Sequence, residues 1–294
     1  MTLVSLVMPV WQPHPIWFPD AVSSALDETV DVELILVDDG NDTPVDSPVD
    51  DPRVRVLRSP HRGPYAARDV GLAHAKGTHV RFVDADDMVV AGSTTALVEA
   101  AEGREVIVHG VTEICDDALQ RTGVAGSELI GSAADACLLG RFDVFHVSLL
   151  YPRSVIDRVG AWEVPGFRVS GDWDYVLRAL ELAPVVPLGS VVTKYRRHAD
   201  SVMSRARVVE GGRARELVLR RHFERHPGRR GTPIEREAYA AMYLEQAAAH
   251  AWRGERRDAA VALLRGARRR PLAASRVAAE LLVERARLSR AATP

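Results

Sequence analysis

Five short apolar runs, separated by segments of helical character, govern what the first two thirds of this chain can fold into. LVSLVMPV (3–10), VELILVDD (32–39), RVRVL (53–57), THVRFVDADD (78–87) and the stretch 105–111 read as strands. Helices are expected at about 18–28, 64–76 and 93–102, the second bracketed by Pro64 at its start and Gly77 past its end. Strands alternating with helices of this length imply an α/β fold with a doubly wound, mostly parallel sheet. In such a sheet ligands sit beyond the carboxyl ends of the strands. Asp38-Asp39 and Asp84-Ala85-Asp86-Asp87 both fall at strand ends of that kind.

Past residue 205 the strand pattern stops. Residues 208–226, 234–252, 256–269 and 272–289 are rich in Ala, Leu and Arg and read as helices, with breaks at Pro227-Gly228, Gly254 and Pro271. The division expected is a catalytic domain over 1–204 and a basic helical extension over 205–294. Within the extension, 249–271 has the pattern of one tetratricopeptide-like hairpin; stable arrays need about three repeats, so no repeat domain is inferred. Charge follows the same division: residues 205–294 hold 21 Lys+Arg against 10 Asp+Glu, and the preceding residues hold 17 against 30. Lys76 and Lys194 are the sole lysines, so the basic charge is arginine. Basic helices of this kind attach peripherally to an anionic membrane surface, bind a partner, self-associate with the acidic domain, or are simply solvated. No recognition motif points to nucleic acid.

Two cysteines, Cys115 and Cys137, cannot build a disulfide framework or a zinc site alone. No apolar run approaches the ~20 residues that span a bilayer, and the N-terminus has neither a basic n-region nor a cleavage site. The expected compartment is a reducing cytoplasm, with the inner face of the membrane open to the basic tail.

On its residues alone DADD has two readings. Carboxylate oxygens at a strand end suit Mg²⁺ or Mn²⁺, and an acidic turn can equally cap the following helix. The wider order of segments is more specific. VSLVMPVWQP, VELILVDDG, GPYAARDVGLAHAKG, VRFVDADD, LLYPRSVIDRVGAW, SGDWDYVLRAL and YRRHADSVMS resemble, in sequence, the segments of family 2 inverting glycosyltransferases of the GT-A fold. The resemblance spans roughly residues 3–204 and implies a Rossmann-like, nucleotide-diphospho-sugar transferase sheet.

It also implies roles. Pro9 and Trp11 stand where such enzymes hold the nucleotide base, with Trp11 in place of the usual tyrosine; Trp11 also fits an ordinary aromatic at a strand end. Asp39 matches the carboxylate that accepts a hydrogen bond from the base, Asp38 positions the turn, and Asn41-Asp42 replaces the commoner Ser-Thr near the ribose. Arg68 matches a helix arginine that reaches the nucleotide, or is a helix-surface ion pair. Asp84 falls near the ribose and Asp86 on the metal, with Asp87 capping or assisting. His198 matches a histidine that closes the metal or diphosphate site.

Asp172 matches the final acid of the family's Glu-Asp pair, with Gly171 in place of the Glu, and is the candidate base; it also fits an N-cap of a helix at 173–183. An inverting transfer needs one carboxylate to take the acceptor's proton and a cation to offset the leaving diphosphate's charge. The donor implied is a nucleotide sugar, UDP-linked, and the acceptor a hydroxyl of a glycan, a lipid-linked sugar or a small metabolite.

Competing folds lack their own signals. WQPHPIW follows the first strand where a nucleotidyltransferase has a Gly-rich loop, no G-x-G-x-x-G follows it as in a dinucleotide-binding oxidoreductase, and the acidic pair of a receiver domain is absent there. A degenerate transferase-fold scaffold with the basic helices as its binding surface is the remaining alternative.

Overall fold

The computed structural model describes residues 2–167, 169–198 and 208–270. The helix expected at 272–289 and the segment after His198 lie outside them. These residues divide into two compact units. One comprises 2–134 and 142–198, the other 135–141 and 208–270.

In the first unit the strands are β1 (Leu3–Val10), β2 (Asp31–Asp38), β3 (Val54–Arg58), β4 (His79–Phe82), β5 (Met88–Val89), β6 (Ile107–Cys115), β7 (Arg121–Ala125), β8 (Leu149–Pro152) and β9 (Val185–Arg196). They form one sheet in the order β3-β2-β1-β4-β8-β6-β9-β5, with β7 paired to β6. From β3 to β4 every pairing is parallel, as the alternation predicts. Beyond β4 the sheet turns mixed: β4–β8, β8–β6, β9–β5 and β6–β7 are antiparallel, and β6–β9 is parallel. Parallel neighbours usually need a helical crossover of a dozen or more residues, and the sequence between β6 and β8 supplies a hairpin strand, the five-residue helix Ala134–Leu138 and short turns. The expected mostly parallel sheet is therefore its first half.

Both faces of that half are covered. Val4, Leu6, Met8 and Val10 of β1 pack with Ala21, Val22 and Ala25 of α1 (Trp17–Leu26) and Leu97 of α3 (Ser93–Ala101). Ile35 and Val37 of β2 face the other way, onto Ala67 and Ala75 at α2 (Pro64–His74). That is why β1 and β2 read as continuous apolar runs rather than alternating ones. At Gly71 a Cβ would lie 2.4 Å from Val7 Cγ1, so α2 rests on β1 at a distance only glycine allows. Pro9 lies past the β1–β4 pairing, which ends at Val7, so its missing N–H costs no ladder bond to β4.

One charge is fully buried in this sheet. Arg81 of β4 donates to Ser93 Oγ at 3.0 Å, Thr94 Oγ1 at 2.8 Å, Thr193 Oγ1 at 2.9 Å, Val192 O at 2.7 Å and Val147 O at 3.3 Å. Burial draws its guanidinium down to about 10, still far above neutrality. It ties β4 to α3, β9 and the turn before β8, the strands whose order is least local. Arg81→Met should leave these acceptors unpaired and lower stability by about 3 kcal/mol. A urea midpoint unchanged from wild type would remove this role.

In the second unit, helices Val208–Arg225, Pro233–Trp252 and Arg256–Ala267 follow one another. Arg265 and Arg269 lie over the Tyr243 ring at 5.6 and 5.2 Å, and Tyr243 donates to Glu216 at 3.0 Å. Residues 135–141, expected within the first domain, belong here: Asp135 pairs with Arg229 at 2.5 Å and Arg141 with Glu237 at 2.7 Å. Among the described residues no helix is long and apolar enough to cross a membrane.

Candidate active site

The residues singled out in the sequence collect beyond the carboxyl ends of β1, β2 and β4. After β1, Trp11 is 42% exposed and lines a cleft of about 400 Å³ with Gln12, Phe18, Asn41, Asp42 and Val45. Its indole stacks on His61, with ring centres 3.8 Å apart and planes 20° off parallel. Asn41 is a clamp: it accepts from Gln12 N at 2.6 Å and donates to Val10 O and Asp38 Oδ1 at 3.0 and 2.7 Å. Asp38 holds the turn. Burial alone would raise its carboxyl, and hydrogen bonds from Asn41 and Val45 with the Arg58 charge bring it below the ordinary value.

Asp39 is buried and heavily engaged. Its Oδ1 accepts from Arg62 N at 3.0 Å, and its Oδ2 accepts from Gly63 N at 3.0 Å and meets His61 Nδ1 at 2.9 Å. In this conformation His61 takes both the stacking face of Trp11 and an oxygen of Asp39.

The acidic turn after β4 splits into separate environments. Asp84 Oδ1 accepts from Arg68 Nη2 at 2.6 Å. Burial would push its carboxyl up, but the adjoining Arg68 guanidinium holds it well below the carboxylate range. Arg68 is itself buried, so it is no surface ion pair, and it lies 4.8 Å from the Trp162 ring centre. Asp86 faces away and meets His198 Nε2 at 2.9 Å. Burial, then the charge of Asp84, raises its carboxyl. Asp87 accepts from Arg196 N at 2.9 Å, fastening the turn to β9, while its Oδ2 is buried without a hydrogen-bond partner; burial and the two neighbouring carboxylates raise it well above the usual range. Three carboxylates that disfavour one another's charge, with an imidazole beside one of them, suit a hard divalent cation. Of these, Asp86 and His198 stand together and could offer the protein donors.

Asp172 sits on α6 (Gly171–Leu180), counting α4 as Ala134–Leu138 and α5 as Arg153–Val159. The helix starts at Gly171 with Ser170 at the cap position, φ 61°, so Asp172 lies in the first turn and not at an N-cap. Tyr65 leaves no room for a side chain at Gly171, where the family resemblance places a Glu. Its hydroxyl accepts from Gly171 N at 3.0 Å, and a Cβ at Gly171 would lie 2.6 Å from its ring. Burial and the nearby Asp172 push the Tyr65 hydroxyl up to about 12, so it stays a neutral phenol beside the carboxylate.

His146, before β8, completes the cluster. Its Nε2 lies 2.9 Å from Arg68 Nη2 and 3.5 Å from Asp84 Oδ2, and its Nδ1 lies 3.9 Å from Asp172 Oδ2. Sequence reasoning missed His61 and His146, which lie outside the resembling segments, and Tyr65 and Trp162, which lie inside GPYAARD and RVGAW but carry no role there. Trp17 was missed too, although it packs edge-on against His198 at 5.0 Å and lies in the same WQPHPIW segment as Trp11.

A sheet that gathers carboxylates beyond β2 and β4, with an exposed indole beyond β1 and an acid-bearing helix start, has the architecture of the GT-A glycosyltransferases. The family model for glycosyl transferase family 2 matches residues 5–155. The chain belongs to that family. It is 33% identical over 114 residues to an uncharacterized glycosyltransferase, EpsJ, of Bacillus subtilis, covering 37% of this chain and 33% of EpsJ. It is 30% identical over 158 residues to a PGL/p-HBAD biosynthesis glycosyltransferase of Mycobacterium bovis, covering 50% of this chain and 58% of that protein. The matches thus span a third to somewhat over half of those relatives. In fold it is similar to S. aureus TarS 1–349 in complex with UDP-GlcNAc, with a TM-score of 0.60, 13% identity and 92% of each chain covered.

Proposed function

We propose that the protein is a metal-dependent inverting glycosyltransferase that moves a sugar from a UDP-linked donor to a hydroxyl acceptor, with Asp172 as the base. One observation carries this reading. Asp84 and Asp172, far apart in sequence, face the two nitrogens of one imidazole, that of His146. The carboxylate assigned to the donor and the one assigned to the acceptor thus share one small site.

In the reaction the acceptor oxygen attacks the anomeric carbon as the bond to the diphosphate oxygen breaks. The acceptor's proton passes to Asp172, whose carboxylate is 40% exposed and open to an incoming hydroxyl. Asp86 and His198 would hold Mg²⁺ or Mn²⁺, which offsets the charge gained by the departing nucleoside diphosphate. Trp11 offers its indole to the base and the 400 Å³ cleft receives the nucleoside end. Asp39 meets the base only once His61 has moved off it. Asp84 is fixed by Arg68 as an ionised acceptor for a ribose hydroxyl.

The TarS complex makes UDP-GlcNAc the first donor to try. Incubated with UDP-GlcNAc, Mn²⁺ and a panel of hydroxyl acceptors, the chain should release UDP and form a product of inverted anomeric configuration. A product retaining the donor's configuration would contradict single displacement. No UDP from any UDP-sugar would contradict the donor class.

A further inference from the structure

We infer that His146 is a positioning residue for the base: its Nδ1–H holds Asp172 by one oxygen while its Nε2 is anchored by Arg68. The inference rests on the reading of Asp172 as base. Its own support is a proton count. A guanidinium has donors and no acceptor. His146 Nε2 has Arg68 Nη2 at 2.9 Å and Asp84 Oδ2 farther off at 3.5 Å, and the nearer guanidinium donor assigns that nitrogen the lone pair and puts the ring's proton on Nδ1.

That Nδ1 is buried and has no hydrogen-bond partner, and the group across from it is Asp172 Oδ2 at 3.9 Å. The other oxygen, Asp172 Oδ1, already accepts from Trp173 N at 2.9 Å. The imidazole itself has little freedom. Its side chain is 10% exposed and meets the Trp162 ring edge-on at 5.7 Å. Asp172, whose side chain is 40% exposed at the start of α6, is the partner able to move. A small rotation of its carboxylate brings Oδ2 within hydrogen-bond range of Nδ1 and leaves further lone pairs of the carboxylate for the acceptor hydroxyl.

The consequence is a continuous chain, Asp84–Arg68–His146–Asp172, running from the donor carboxylate to the base. His146 neither takes the acceptor's proton nor touches the sugar. It fixes where the base stands, and does so only when its δ nitrogen carries the hydrogen.

Two measurements on the 294-residue chain test this. In ¹⁵N spectra of histidine-labelled protein, the His146 ring should show the Nδ1–H tautomer. Asp172→Asn should shift its Nδ1 resonance, and Asp157→Asn on the far surface should not. An Nε2–H tautomer, or a ring indifferent to Asp172→Asn, would overturn the inference.

The second readout is UDP release from UDP-GlcNAc with Mn²⁺. His146→Gln places an amide near the Nε2 position only, and should lower kcat about 10- to 100-fold with donor KM unchanged, as loss of an orienting partner does. His146→Asn places a donor near Nδ1 and should restore most of that loss. In an Asp172→Asn background His146→Gln should cost nothing further, because the two act as one unit. Equal loss from Gln and Asn, or a change confined to KM, would make the ring a packing element. If the chain releases no UDP at all, the transferase reading fails, and the imidazole spectrum still decides where His146 holds its proton.

Discussion

Asp172→Asn should lower UDP-sugar turnover about a thousandfold, within the range a positioned general base supplies, and leave UDP affinity unchanged. The amide keeps the acceptor at Oδ1 for Trp173 N and keeps the shape of the helix start, so what it removes is the capacity to take a proton. The environment favours that capacity. Asp172 is half-exposed at the helix start, beside a Tyr65 phenol that is held neutral and a His146 ring that can donate to it. Turnover within threefold of wild type would remove Asp172 as base, and attention would pass to Asp174 of the same helix. That residue is less suited, being buried and bonded to Arg178 Nε at 2.8 Å.

The second large effect is expected at Asp86. With Mn²⁺ present, Asp86→Ala should weaken UDP binding by about a hundredfold, roughly 2.7 kcal/mol. In chelator the variant and the wild type should bind alike. An equal loss in both conditions would make the carboxylate structural. Stability should move in the opposite sense to function. Burial and Asp84 raise the Asp86 carboxyl in the folded protein. A raised acid favours folding while protonated and opposes it once the pH passes the raised value. At neutral pH the nucleotide-free Asp86→Asn protein should therefore melt no lower than wild type, despite losing its contact with His198. A clear drop in melting temperature would mean that the His198 contact outweighs the crowding of like charges.

What could be seen in the sequence was what local chemistry dictates. Apolar runs long enough to be buried on both faces gave β1 and β2, and Pro64 with Gly77 bracketed α2 to within a few residues of Pro64–His74. The acidic turn after β4 stood out because DADD follows an apolar strand. The antiparallel half of the sheet was not legible, since its order depends on pairings between distant strands and on the Arg81 network that spans them. Arg81 carried its own unused signal, a charge inside VRFV, which a buried strand tolerates only with every donor satisfied. Gly171, standing where the resemblance implies a Glu, had no reason in the sequence, and the Tyr65 ring supplies one. His146 could not have been found by spacing: it gains its partners from α2, the β4 turn and α6, which only the fold brings together.

The most direct test of a metal-dependent nucleotide-sugar site is thermal unfolding of the full chain with UDP, GDP, dTDP, CDP and ADP, each with Mn²⁺ or EDTA. A ligand at a hundred times its dissociation constant adds about 2.7 kcal/mol, a readable rise in melting temperature. UDP with Mn²⁺ should give that rise, and it should disappear in EDTA and in Asp86→Ala. No rise with any nucleotide, or one of equal size in EDTA and in Asp86→Ala, would contradict it.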